Sequence, residues 1–304
     1  MKRQIASVIG IMAMLAALPL AGGQDSLVDK ASVAFDDPGK PGRVEVSLIF
    51  GGITITGYSG KEVTVEARIS EKLVKESEKP SEKAKGLKLI RINTTGLRME
   101  KDGNTIEISA NSWKQAVDLT IKVPFNASLE LHTTGHGDIT VHGVTGVVEA
   151  NNSNGNITLN NISGAAMASS ANGHITAVFK NVDPEKPMSF STWNGDIDVT
   201  IPGSTKATFK MSSSRGNIYS DFDIKMIPKP EGEEEEVKTG RAIGVETGTA
   251  ARLLARARTN ARVAVGVRSG ISLGTDSVYG TINGGGPQFQ FRNFMGDILI
   301  RKTK

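Results

Sequence analysis

Three of the four histidines, His132, His136 and His142, crowd around Asp138, and imidazoles beside a carboxylate are the donor types that hold a divalent metal. Their spacing fits no zinc pattern and the chain has no cysteine. Alternation with Leu131 and Val141 also turns His132 and His142 to the outside of a strand. Asp196 and Asp198 form the other arrangement to weigh, because paired carboxylates can share acid and base roles in glycoside cleavage. Two residues apart on one strand, they project to one face instead of flanking a bond. There is no Gly-x-Ser-x-Gly elbow and no phosphate loop ending in Gly-Lys-Ser/Thr. The sequence therefore predicts no catalytic residue, no metal ligand and no cofactor.

These residues belong to a larger pattern that must position them. Gly137-Asp138-Ile139 recurs as Gly155-Asn156-Ile157, Gly173-His174-Ile175, Gly195-Asp196-Ile197, Gly216-Asn217-Ile218 and Gly296-Asp297-Ile298, at glycine spacings of 18, 18, 22, 21 and then 80 residues. After each glycine, Ile is followed two residues later by Val141, Leu159, Ala177, Val199, Ser220 or Ile300, the period of a pleated strand. Before it, Val148/Ala150, Ala166/Ala168, Met188/Phe190, Phe209/Met211 and Phe289/Phe291 mark a second strand. Leu129 and Leu131 stand one residue early in the first copy, which predicts a bulge. Val44, Val46, Gly51, Ile53 and Ile55 make a fainter copy upstream.

Stacked copies would align Asp138, Asn156, His174, Asp196 and Asn217 beside the turn, with Thr140, Thr158 and Thr176 in the neighbouring outward column. Turn chemistry explains the first column as a hydrogen-bonding ladder. The two columns together are also the candidate binding surface.

The expected fold is all-β: a β-solenoid of about 18–22 residues per repeat preceded by a β-meander, with an antiparallel β-sandwich as the alternative because Asn-Gly also marks hairpins. The boundaries expected are a signal peptide at 1–23, an N-terminal strand region at 24–125 and solenoid repeats at 126–220. A charged, partly disordered insertion at 221–262 and C-terminal rungs at 263–304 follow. The meander draws on alternation at 43–50, 53–56, 62–69, 87–92, 105–109 and 118–123. The insertion carries the run Glu231 to Glu236 and then Arg252, Arg256, Arg258, Arg262 and Arg268.

Lys2 and Arg3, the uncharged run from Ile5 to Leu20 and the small triplet Ala21-Gly22-Gly23 read as an export leader. Without Lys2 and Arg3 the formal charge falls from +4 to +2, which gives no reason to expect nucleic acid. No membrane span is expected in the mature chain, which is placed in the periplasm, outside the cell or on its surface.

The repeat of Ser/Thr/Asn, Asn-Gly, Asp/Asn/His and Ile, with the closing Tyr279-Gly280-Thr281-Ile282-Asn283-Gly284-Gly285-Gly286-Pro287 and Phe294-Met295-Gly296-Asp297-Ile298, resembles the bacterial domain-of-unknown-function family labelled putative adhesin. The resemblance runs from about Val44 to Arg301 and implies an exported or membrane-attached β-solenoid with no enzymatic activity assigned. The expected function is a non-catalytic binding or structural module of the cell envelope, with a glycan or an envelope protein as partner. The alternative is a carbohydrate-active enzyme, lyase or hydrolase, on the same scaffold.

Overall fold

Each repeat folds as two short strands meeting at its glycine, because its apolar residues fall at every second position on either side of that glycine. The computed structural model describes residues 28–70, 95–110, 115–229 and 277–303. In chain order, β1 (Val28–Ala34) precedes a first pair, β2 (Arg43–Leu48) and β3 (Ile53–Tyr58). Next come β4 (Glu62–Ile69), β5 (Leu97–Asp102) and the pair β6 (Thr105–Ala110) and β7 (Val117–Pro124). The glycine repeats give β8 (Ser128–His136) with β9 (Ile139–His142), β10 (Val148–Asn154) with β11 (Ile157–Gly164), and β12 (Ala166–Asn172) with β13 (Ile175–Val182). They continue as β14 (Met188–Asn194) with β15 (Ile197–Ile201) and β16 (Ala207–Ser213) with β17 (Ile218–Ser220). The described chain closes with β18 (Lys225–Ile227), β19 (Val278–Ile282) and the pair β20 (Gln288–Met295) and β21 (Ile298–Lys302).

The two members of a pair lie in different sheets, so a pair is one rung of a solenoid. Sheet A runs β1-β4-β7-β3-β9-β11-β13-β15-β21-β17, and sheet B runs β18-β19-β16-β20-β14-β12-β10-β8-β2-β6-β5. Neighbouring rungs pair in parallel and in register. Ile139, Ile157, Ile175 and Ile197 stand side by side in sheet A, as do Leu131, Ala150, Ala168 and Phe190 in sheet B. Parallel pairing throughout the repeats makes the fold a solenoid stack and sets the antiparallel sandwich aside. The inward faces of both sheets join one apolar core. Toward the C-terminal rungs that core becomes aromatic, with Phe190 stacked on Phe291 at 5.6 Å and Phe179 edge-on to Phe190 at 6.3 Å. The early leucines also produce their bulge: Thr134 and Gly135 of β8 stand opposite the single residue Ser153 of β10.

Rung order departs from sequence order at both ends. The segment expected as a meander supplies two parallel rungs, and β2/β3 lies between β6/β7 and β8/β9. Among the described strands only β1, β4 and β5 are antiparallel there, closing the stack on β7 and β6. At the far end the last rung, β20/β21, enters between β14/β15 and β16/β17, while β19 and β18 pair antiparallel outside β16. Intercalation changes which rung is outermost and not the number of open edges: β6/β7 and β16/β17 become the end rungs, and antiparallel strands pair on β6, β7 and β16. The leader at 1–23, the strand expected at 87–92 and the charged sequence from 230 onward through 262 lie outside the described residues.

Because the chain has no cysteine, an introduced pair reads out rung order without background. Adjacent strands sit ~4.8 Å apart and strands two removed about 10 Å, which places only the first within reach of a disulfide. D198C/L299C is expected to oxidise to a cross-link, read by thiol titration and intact mass, and D198C/Y219C is not. The reverse result would put β16/β17 directly on β14/β15.

Candidate functional site

The corner between the sheets is built from backbone. A Cβ on Gly155 would lie 2.1 Å from the Gly137 carbonyl oxygen, and one on Gly173 would lie 2.0 Å from that of Gly155. Each glycine thus sits directly on the carbonyl of the rung below. That carbonyl is met from inside by the residue three before the next glycine. Asn152 Nδ2 donates to Gly137 O at 2.8 Å, Ser170 Oγ to Gly155 O at 3.1 Å, Thr192 Oγ1 to Gly173 O at 2.9 Å and Asn293 Nδ2 to Gly195 O at 2.9 Å.

The column expected beside the turn forms on the outer side of the corner. Asp138 Oδ1 accepts the Asn156 N–H at 2.7 Å, Asn156 Oδ1 the His174 N–H at 2.9 Å, and His174 Nδ1 the Asp196 N–H at 3.0 Å. Asp, Asn and His interchange here because each places an acceptor at the same reach. Asn217 does not follow Asp196 directly. Asp297 stands between them, donating its N–H to Asp196 Oδ1 at 2.8 Å and accepting the Asn217 N–H at its own Oδ1 at 2.8 Å.

Thr140, Thr158 and Thr176 lie on the outer face of sheet A, and Thr54 and Thr120 extend their column in register. Asp198 follows Thr176, with both its carboxylate oxygens held by Arg301 Nε at 2.8 and 2.9 Å. The sequence offered no cation near Asp198, because Arg301 arrives on the intercalated last rung. Asp196 and Asp198 are therefore each committed, one to the corner and one to an ion pair.

Two features of sheet B escaped the repeat pattern. The first is a column of Glu100, Glu107, Glu45, Glu130 and Glu149, in register on five neighbouring strands. Like charges directly opposite one another destabilise a sheet. Here Arg43 answers them by reaching Glu45 at 2.6 Å and Glu130, Arg98 pairs with Glu100, and His132 Nε2 faces Glu130 Oε1 at 3.8 Å. The Glu130 carboxylate raises the His132 pKa against partial burial, and His132 with Arg43 lowers that of Glu130.

The second feature is a trough of about 280 Å³ on the outer face of the same sheet. It exists because outward side chains shrink on two adjacent strands. Asn151, Ser153, Ser169 and Ala171 form its floor on β10 and β12, between His132 and Thr134 on β8 and Trp193 and Arg292 on β14 and β20. Trp193 is held by stacking on Phe294, with ring centroids 4.2 Å apart and planes 29° apart, and the Arg215 guanidinium lies 5.4 Å from the Phe294 centroid.

Residues 118–248 match the Toastrack DUF4097 family. The Toastrack match takes in the glycine repeats from β8 to β17 and accords with the resemblance carried by those repeats, a domain family of unknown function. Two solved structures are similar at low identity. A putative cell adhesion protein from Clostridium sporogenes is 12% identical with a TM-score of 0.41, over 91% of this chain and 100% of that one. A putative adhesin from Bacteroides fragilis is 10% identical with a TM-score of 0.34, over 91% of this chain and 97% of that one. No curated protein matches. Among the described residues no helix is long and apolar enough to cross a membrane.

The His132–Glu130 pair sets a pH window. A raised His132 pKa contributes stability that is full below the ordinary value of 6.5 and lost as pH rises through the folded value. A lowered Glu130 pKa contributes stability that is full above the ordinary 4.5 and lost as pH falls. The pair is thus worth most between about pH 4.5 and 6.5, with Arg43, Glu45 and Glu149 as its charged neighbours. Urea unfolding between pH 5 and 8 should show wild type losing stability, relative to His132→Gln, as pH rises above about 6.5. Parallel profiles for the two proteins would contradict the assignment.

Proposed function

We propose that this chain is an exported, non-catalytic binding module of the bacterial cell envelope and that the trough on sheet B is its recognition surface. The observation that carries the reading is the drop in side-chain size at Asn151, Ser153, Ser169 and Ala171 beside the fixed ring of Trp193. A concave floor of hydroxyl and amide groups with one aromatic wall is what a small-ligand or glycan site requires. Export is supported by the charged, apolar and small-residue order of the first 23 residues. A non-catalytic role is supported by the commitment of Asp196 to the corner and of Asp198 to Arg301. Asp138, Asn156, His174, Asp196 and Asn217 then serve the stack, while Thr140, Thr158 and Thr176 offer a second contact face.

Attachment of labelled protein to isolated envelope tests this. Ala171→Trp fills the trough floor from an exposed position and is expected to cut attachment at least ~10-fold with an unchanged melting temperature. T140A/T158A/T176A should retain most of it. Loss in the threonine variant with retention in Ala171→Trp would move the recognition surface to sheet A.

A further inference from the structure

The trough is not chemically uniform. At the β20 end stands Arg292, which forms no ion pair among the described residues, beside the Trp193 platform. At the β8 end stands His132, and the glutamate column with Glu130 and Glu149 runs alongside. Between the two, Asn151, Ser169 and Ser191 present amide and hydroxyl groups in one register row from β10 to β14. The row from β8 to β20 covers four strand spacings, ~19 Å.

This polarity selects among ligands. A long polyanion would meet Glu130 and Glu149 at one end after gaining Arg292 at the other, and like charge there is repulsive. A neutral polymer would leave the Arg292 guanidinium without a matching acceptor, although a planar carboxylate is what a guanidinium binds best. We infer that the trough takes an acidic oligosaccharide of mixed repeat, with a sugar carboxylate on Arg292, a pyranose ring against Trp193 and an uncharged amido sugar over Asn151, Ser169 and Ser191. This rests on the trough being the recognition surface and adds the ligand class. Trp193 supplies the flat apolar face on which the C–H side of a ring can lie, and the Phe294 stack keeps that face in place. The floor residues supply both donors and acceptors, which suits hydroxyl and acetamido groups that carry both.

Titration calorimetry with a hyaluronan tetrasaccharide, alternating glucuronate and N-acetylglucosamine, tests the inference against its carboxyl-reduced counterpart and oligothymidylate. Wild-type protein is expected to bind the acidic tetrasaccharide at least ~10-fold more tightly than the reduced one, a factor typical of a lost charged hydrogen-bonded pair. Arg292→Gln should erase that difference, and Trp193→Ala should weaken both sugars. Circular dichroism and melting curves establish that each variant is folded. Equal binding of both sugars, still lost in Trp193→Ala, would overturn the acidic-ligand inference and leave the recognition surface standing. Sugar binding indifferent to Trp193→Ala would remove the surface itself. Tighter binding of oligothymidylate, or binding of none of the three probes, would overturn the inference.

Discussion

Everything in this fold hangs on a backbone-to-backbone contact at the corner, where the α-carbon of one glycine rests on the carbonyl oxygen of the glycine below. An added Cβ at Gly137, Gly155, Gly173, Gly195 or Gly296 would fall within 1.9–2.3 Å of that oxygen, far inside any real contact. The rungs can approach to pairing distance at the corner only because no side chain is there. Closeness then dictates the flanking chemistry. The glycine carbonyl is satisfied from inside by Asn152, Ser170, Thr192 or Asn293, and the next N–H from outside by an Asx or histidine side chain. A corner with buried carbonyls left unanswered would lose the advantage of the close approach.

The same logic governs the ends. A parallel stack has no short hairpin with which to finish itself, so its last rungs face the problem of open edges. The first and last rungs lie inside the stack, and antiparallel strands cover the end rungs, β4 and β5 at one end and β19 on β16 at the other, while β17 remains the outermost described strand of sheet A. Intercalation has a functional consequence. It brings Arg292, Phe294 and Arg301 next to residues about 100 positions earlier, and so completes both the trough wall at Trp193 and the ion pair at Asp198.

What could be read from the sequence was what the period writes down. Ile157, Ile175 and their equivalents announced their face, and Asp138, Asn156 and His174 their column, because each unit repeats the same local geometry. The order of rungs was not legible, since Gly296-Asp297-Ile298 matches every gap in the stack equally well and only long-range pairing decides where it goes. The glutamate column was hidden for a related reason: Glu45, Glu107, Glu130 and Glu149 come from separate stretches, and only Glu130 and Glu149 belong to neighbouring copies of the strong repeat. The trough left a different trace. It depends on Ser153 and Ala171 being smaller than Trp193, a difference between copies that a search for sameness passes over.

The central claim is that contact, and not backbone angle alone, makes the corner glycines indispensable. Gly155 and Gly164 have nearly the same φ, 151° and 148°, but a Cβ on Gly164 would stay 2.9 Å from its nearest neighbour while one on Gly155 would come within 2.1 Å of the Gly137 carbonyl oxygen. Chemical denaturation of the two alanine variants separates the causes. Gly164→Ala should lose about 1–3 kcal/mol, the cost of a side chain in this glycine region, and Gly155→Ala should lose well over ~3 kcal/mol or fail to fold. Equal losses in the two variants would contradict the account, because the corner would then be a matter of conformation and the stacked backbone would be incidental to it.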